Sequence, residues 1–406
     1  MRVLILGGGY AGLRTALDLD AMRARGQLPE GVQVDLVERA PCHEVIFWLH
    51  QVAAGTLAPE QACIDYGRLP LEGIQLHQAT VQDLHPTPRR VDTDAGPFSY
   101  DALVLALGSG PSSPDIPGLA EHAHTLRTHE DAENLHNALE AAYARAAPLA
   151  DAAERRRLLT TVVAGGGYTG CQLAGELAHR LPDLADRHGA PLDDIRLLLC
   201  EPRDRLLPEM EPCHGRAARR ILERKGVEVR LGAPLERLSE DTAVLGGEGL
   251  PYGVLAWAGG IRAPGFLKEA GLGANPQGRV IVDDHLRVPD HPDILAAGDC
   301  AVRVAPDGSL STTPATATEA MNQGRYMAAL LRDRARGRAP AAAYAPTRLG
   351  LLVSLGNSDA VGNVGPLPVQ GRAAGLLKNG AERTYPDTLL RPHTEPLLDP
   401  DFLRPA

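Results

Sequence analysis

Val3-Leu4-Ile5-Leu6 runs into Gly7-Gly8-Gly9-Tyr10-Ala11-Gly12, and Thr161-Val162-Val163-Ala164 runs into Gly165-Gly166-Gly167-Tyr168-Thr169-Gly170. Each stretch is an apolar strand, a G-x-G-x-x-G loop and then a helical pattern. The loop chemistry follows from close approach. A pyrophosphate needs backbone N–H groups and the positive end of a helix, and a Cβ would hold it off. Gly7 and Gly165 permit the tight turn, Gly9 and Gly167 let backbone meet phosphate, and Gly12 and Gly170 let the helix lie against the strand. One such loop is weak evidence, because an ordinary glycine turn reads the same way. Two in one chain, each followed by a second strand that ends in an acid, predict two dinucleotides on one polypeptide.

The helices are predicted from Ala11 to about Arg25 and from Thr169 to about Arg180, each with an apolar face. The strand Val32 to Val37 ends at Glu38, and the strand Ile195 to Cys200 ends at Glu201. Each acid is placed to accept hydrogen bonds from a ribose diol. Asp101 to Gly108 is a buried-strand pattern ending in glycine, and Leu255 to Gly259 stands at a similar remove from the second loop. A long internal period of this kind indicates a duplicated domain. A third anchor is Asp293 to Ala301, an apolar strand that delivers Gly298-Asp299 to its carboxyl end, where open α/β sheets bind ligands. The plainer alternative for Asp299 is a turn aspartate. The fold class is therefore α/β, with two Rossmann-like dinucleotide-binding domains, the second inserted in the first, and a small C-terminal cap. The expected boundaries are 1–112 with 261–338 for the first domain, 113–260 for the second, and 339–406 for cap and tail. Thr128 to Arg157 reads as helical, and Pro386 to Ala406 as a poorly ordered tail.

These stretches resemble the two-dinucleotide-fold flavoprotein superfamily and, more closely, the type II NADH:quinone oxidoreductases. Gly165 to Ala178, Val52 to Thr56, Trp257 to Arg262 and Gly298 to Ala301 carry the likeness. The segment from Arg348 to Lys378 looks more like the quinone-reducing, apoptosis-inducing-factor-like ferroptosis suppressors. The resemblance implies FAD held by Gly7, Gly9, Tyr10, Ala11, Gly12, Glu38, Arg39, Val81, Gly108, Asp299 and Ala317. It implies NADH held by Gly165, Gly167, Tyr168, Thr169, Gly170, Glu201 and Gly259. It places Glu176 beside nicotinamide and flavin as a proton relay, against the simpler reading of an exposed helix glutamate. The helix that begins near Thr313 and Pro314 would aim its positive end at the flavin, with Thr313 as cap. Thr318 and Asn322 stand where the family has quinone-facing glutamines, and Gln323 follows. NADH is favoured over NADPH because Glu201 would repel a 2′-phosphate, although Arg203 and Arg205 could soften that. His43 and His50 read as packing or surface histidines rather than ligands.

Composition narrows the function. The 406-residue chain carries a net charge of −10 and no basic cluster interleaved with aromatics, which argues against nucleic-acid binding. Its six cysteines show no C-x-x-C spacing, so no metal centre is expected. Cys42 stands alone after Glu38, and Cys63 is too far along the chain to match the redox pair of disulfide reductases. Electrons are therefore expected to pass from flavin directly to a quinone or other small acceptor, in a reducing compartment. A strand at the N-terminus leaves no room for a signal peptide, and no apolar run approaches the ~20 residues of a spanning helix. The expected location is cytoplasmic, with weak peripheral contact at the inner face of the cell membrane as the alternative. Gly371 to Lys378 makes at most a short amphipathic turn. Two other readings stand beside quinone reduction: a reductase of a small electron-carrier protein, and an NADH-sensing interaction protein. A homodimer is left open.

Overall fold

The computed structural model describes residues 1–112, 114–304, 308–310, 316–339, 342–346 and 350–390. Two parallel sheets dominate it. The first has six strands in the order Arg287–Val288, His291–Ala296, Ala102–Leu105, Arg2–Leu6, Gln33–Glu38, Gln75–Gln78. All its pairs are parallel except the edge hairpin at Arg287–Val288. The second has five parallel strands in the order His124–Thr125, Val254–Trp257, Thr160–Ala164, Arg196–Glu201, Glu228–Leu231. The first sheet thus takes strands from both sides of the segment that builds the second. Central strands such as Leu103-Val104-Leu105 and Thr161-Val162-Val163 are buried throughout, as parallel strands covered on two faces must be.

The nucleotide-loop helices run Tyr10–Ala24 and Tyr168–His188. The second does not stop near Arg180. It passes through Pro182 to a left-handed Gly189, because its buried face (Leu173, Ala174, Leu177, Leu181, Leu184) continues beyond the proline. The segment expected to be helical between Thr128 and Arg157 forms two helices, His129–Ala146 and Ala152–Leu158.

Three antiparallel strands, Gly350–Ser354, Ala360–Val364 and Leu367–Gly371, form a cap sheet backed by the helix Arg372–Leu390. The segment from 347 to about 380 reads in the sequence as a small strand-and-helix cap, and the helix is longer than the short turn expected at Gly371 to Lys378. The helix has 19 residues and includes Pro386, so the start of the expected disordered tail is helical, and residues 391–406 lie outside the described residues. Gly375 is the reason the glycines misled. A Cβ there would strike the Ser358 carbonyl, so the glycine serves close helix-to-loop approach rather than a break.

The cysteine reading is also corrected. Strands Cys42–Glu44 and Cys63–Asp65 pair antiparallel and bring the two cysteines into a disulfide, with Cα atoms 5.6 Å apart across a sequence separation of 21. Local-spacing rules miss it because the pairing is made by a fold-back through the helix Leu49–Ala54. No described helix is long and apolar enough to cross a membrane.

Candidate functional site

The two glycine loops share their backbone geometry. Gly7 (φ +99°) and Gly165 (φ +119°) occupy the region L side chains avoid, and a Cβ would run into the carbonyls of Ala106 and Ala258. A Cβ on Gly12 or Gly170 would strike the carbonyl of Gly7 or Gly165. Gly9 and Gly167 differ from these: a Cβ on either would have no atom within 4 Å. That open space leaves room for an anion. The helices begin at these glycines with no side-chain cap, so their first N–H groups are free for an anion.

The ribose acids match too. Glu38 accepts from the N–H groups of Gly8 and Ala40 (2.8 Å for Ala40), and Glu201 from those of Gly166 (2.7 Å) and Arg203 (3.0 Å). Gly7 N–H donates to Val37 O, and Gly165 N–H to Cys200 O, both at 2.8 Å. Each acid is thereby fixed beside its loop before any ligand arrives. Arg39 is exposed, Thr169 is exposed at the start of its helix, and Ala79 N–H donates to Glu38 O (3.0 Å), which sets Val81 near that acid. Gly259 lies under the Trp257 ring, whose Nε1–H donates to Ser112 O at 2.8 Å.

Asp299 is more than a turn aspartate. Its Oδ2 accepts from Arg127 Nη2 (2.8 Å) and Ser109 Oγ (3.0 Å), while Arg127 Nε donates to Ser109 O (2.7 Å). Gly108, at φ +64°, sits beside Arg127. Arg127 escaped the sequence reading because a single arginine before a helix cap carries no signal. The helix Ala317–Ala335 begins with Thr316 as cap, accepting from Glu319 N–H at 3.2 Å, while Thr313 and Pro314 lie outside the described residues. Gln323 uses both ends of its amide: Oε1 accepts from Gly298 N–H (2.7 Å) and Nε2 donates to Glu319 (3.1 Å). It therefore positions the Gly298-Asp299 turn. Thr318 is exposed, and Asn322 Nδ2 is buried with no partner among the described residues.

Tyr10 packs among His43, Phe47 and Tyr385, with ring centres 5.1–5.8 Å away. His43 bridges Gly8 O (Nδ1, 3.0 Å) and Tyr385 Oη (Nε2, 2.7 Å), and Tyr66 Oη donates to the same carbonyl at 3.0 Å. The cap helix therefore reaches the first loop.

The cap also covers Glu176. Gly175 and Gly356 meet backbone to backbone, and Glu176 is buried beneath them, accepting from Thr56 Oγ1 at 3.4 Å. Burial raises its carboxyl pKa, and the nearby Glu382 adds to the rise. Lys378, which is buried, and Glu382 form an ion pair on the cap helix, and burial raises the pKa of Glu382 while Lys378 opposes the rise. His50 is buried with Nε2 unpartnered among the described residues. Lys378, Glu382 and His50 were not recognised as site residues, since nothing in the sequence brings the cap onto the Leu49–Ala54 helix.

Burial lowers His43 to about 4, and burial together with Lys378 lowers His50 to about 3. Both histidines are neutral at pH 7. Their folded pKa values lie below the unfolded ~6.5, so the unfolded chain binds more protons in between, and the stability they contribute is lost as pH falls through that window. Relative to His50→Asn, the native chain should lose about 1.4 kcal/mol of stability per pH unit below pH 6. Urea titrations of both proteins from pH 7 to 4 measure this, and parallel curves would refute it.

Two open glycine loops, each with a carboxylate fixed beside it, at the ends of two parallel sheets define a Rossmann-type α/β fold suited to dinucleotides. The chain belongs to the pyridine nucleotide-disulphide oxidoreductase family, whose signature matches residues 1–324. It is 28% identical over 387 residues to the type II NADH:quinone oxidoreductase of Staphylococcus saprophyticus and 29% identical over 382 residues to that of Staphylococcus epidermidis, covering 93% of each chain in both comparisons. Its fold is similar to that of NDH2 from Plasmodium falciparum in complex with NADH (TM-score 0.84, 16% identity, 96% of this chain and 94% of that one). It is also similar to the sulfide:quinone oxidoreductase from Aquifex aeolicus (TM-score 0.78, 19% identity, 98% and 93%). The protein is an FAD-dependent oxidoreductase that takes electrons from NAD(P)H.

Proposed function

We propose that this chain is a non-proton-pumping NADH:quinone oxidoreductase. Residues 1–112 and 261–338 hold FAD, 113–260 hold NADH, and 339–406 are the C-terminal cap and tail. When bound, FAD accepts a hydride from NADH and passes two electrons to the quinone. The residues of this chain do the rest. Gly7, Gly9, Tyr10, Ala11, Gly12, Glu38, Arg39 and Val81 hold the adenosine and pyrophosphate of FAD, and Gly108, Asp299 and Ala317 face its far end. Gly165, Gly167, Tyr168, Thr169, Gly170, Glu201 and Gly259 hold NADH, and the carboxylate of Glu201 selects it over NADPH by repelling a 2′-phosphate. The positive end of the Ala317–Ala335 helix, close to Gly298-Asp299 through Gln323, favours negative charge there.

The observation that carries the reading is the placement of Glu176. It lies on the helix whose N-terminus takes the second dinucleotide, buried under the cap beside the Lys378–Glu382 pair. A carboxyl whose pKa burial raises keeps its proton to higher pH than an ordinary glutamate and can give it to a reduced acceptor. Thr318 and Asn322 are the nearest candidates for the quinone carbonyls. Leu367, Leu376 and Leu377 are exposed on the cap and suit weak peripheral contact with a membrane. Strand alternation turns Cys42 away from the face on which His43 meets Gly8, which supports electron transfer that bypasses the disulfide.

Stopped-flow reduction of the purified yellow protein by NADH and by NADPH, followed by reoxidation with quinone analogues, tests the proposal. NADH is expected to reduce it faster, and a soluble quinone to reoxidise it within the same turnover. Rapid reduction with reoxidation only by a carrier protein would replace quinone with that partner.

A further inference from the structure

Four arginines from separate parts of the chain converge far from the nucleotide loops. Arg89 lies in the Val81–Thr93 hairpin, Arg287 on the edge strand of the first sheet, and Arg334 and Arg338 at the end of the Ala317–Ala335 helix and just beyond. They line a cavity of about 450 Å³ whose floor is Leu295, Leu330 and Leu331. The cavity opens where the His291–Ala296 strand begins, whereas Gly298-Asp299 lies beyond that strand's carboxyl end. It is therefore at the opposite edge of the sheet from the flavin cradle.

A helix C-terminus attracts basic residues through its dipole, which accounts for Arg334 and Arg338. It does not account for Arg89 and Arg287, which arrive from other elements. One carboxylate faces the four cations: Asp293 pairs with Arg89 Nε at 2.9 Å. Arg334 is steered by two backbone carbonyls, Asp101 O (3.0 Å) and Pro292 O (3.4 Å). The guanidinium groups of Arg287 and Arg338 have no partner among the described residues. Behind them, Tyr100 is 2% exposed, and its hydroxyl is also unpartnered. It lies close enough to Asp293 and Arg89 to feel both charges. Burial lowers the pKa of Arg334, Asp293 and Asp101 oppose that, and Arg89 and Arg287 add to it, so the carboxylates nearby offset the four cations only in part. The contrast is sharp in a chain of net charge −10.

We propose that this cavity is a binding site for a phosphate-bearing ligand, with the phosphate on Arg287, Arg334 and Arg338 and an apolar part against the leucine floor. Guanidinium forks match phosphate oxygens in geometry and charge. The volume suits a small phosphorylated molecule or a single phospholipid headgroup with the first part of its chains. The site is separate from both dinucleotide cradles and does not depend on the proposed quinone chemistry.

The test uses the FAD-loaded full chain with saturating NAD⁺. Inorganic pyrophosphate binding is followed by calorimetry at low salt, and co-sedimentation is measured with phosphatidic acid and phosphatidylcholine vesicles. The same measurements are made on Arg287→Gln/Arg338→Gln and on Arg287→Glu/Arg338→Glu. Expected is at least a tenfold loss of pyrophosphate binding in the glutamine variant, a larger loss in the glutamate variant, and unchanged NADH turnover in both. Loss in both the pyrophosphate and the phosphatidic acid arms supports a general phosphate site. Loss confined to the vesicle arm assigns the phosphate to a lipid. Equal binding by native and glutamine proteins in both arms, or no binding by the native chain in either, overturns the proposal.

Discussion

Gly167→Glu is expected to give a folded, yellow protein that NADH reduces at least about a hundredfold more slowly, a loss of roughly 2.7 kcal/mol in the reducing step. The argument rests on where Gly167 points. Its backbone, at φ −76° and ψ −163°, is extended and tolerates any side chain, and a Cβ there would meet no atom within 4 Å. The added side chain therefore strains nothing in the fold. It fills the space a pyrophosphate needs and puts a negative charge at a helix end that would bind one. Gly9→Glu applies the same change to the first loop, where φ is −71° and the space is equally open. That protein is expected to be colourless. The pair forms a control. If FAD and NADH were assigned to the wrong loops, the two phenotypes would exchange. If both variants kept their flavin and reacted normally with NADH, neither loop would be a nucleotide site.

The parts legible in the sequence are those whose chemistry is local. A strand, three glycines and the first turn of a helix lie within one short stretch, and close approach leaves glycine as the residue that fits at Gly7 and Gly12. The ribose acids Glu38 and Glu201 were legible for the same reason, since each ends a strand that must pair with the one entering the loop. What was not legible depends on pairing across long separations. Arg127 meets Asp299 only because a segment leading into the second sheet folds over the end of the first. Cys42 and Cys63 meet because two three-residue strands pair, a length at which periodicity carries no information. The cap helix was misjudged on Gly375 and Pro386. Propensity counts each against a helix by about 1 kcal/mol for glycine and 3 for proline, and buried contacts of Tyr385 and Leu389 outweigh that. Gln323 was assigned to the acceptor on resemblance, yet its amide is committed to Gly298 and Glu319.

Lys378→Met should destabilise the chain by about 3 kcal/mol at pH 8 and by much less at pH 5. Lys378 is buried, and it is the counterion of Glu382. Removing it leaves a carboxylate in an apolar setting whose burial already raises its pKa. Without the lysine the folded-state pKa rises further above the unfolded value of about 4.3. The folded variant then binds more protons than the unfolded chain. Its cost is absent below that unfolded value and grows by about 1.4 kcal/mol per pH unit until the folded pKa is passed. Lys378→Met/Glu382→Leu removes both charges and should lie within about 1 kcal/mol of the native chain at either pH, because a paired buried ion couple contributes little net stability. Urea denaturation of the three proteins at pH 5 and pH 8 makes the comparison. Trp48, which lies close enough to Glu382 to affect its pKa, supplies the probe, and its emission should shift when that carboxyl changes state. The same variants bear on the reaction. Glu382 raises the pKa of Glu176, so the double variant should hold its proton less tightly and move the pH dependence of acceptor reduction toward acid. Equal destabilisation of single and double variants, with no difference between the two pH values, would mean that apolar contacts alone seat the cap and that Lys378 does not neutralise Glu382.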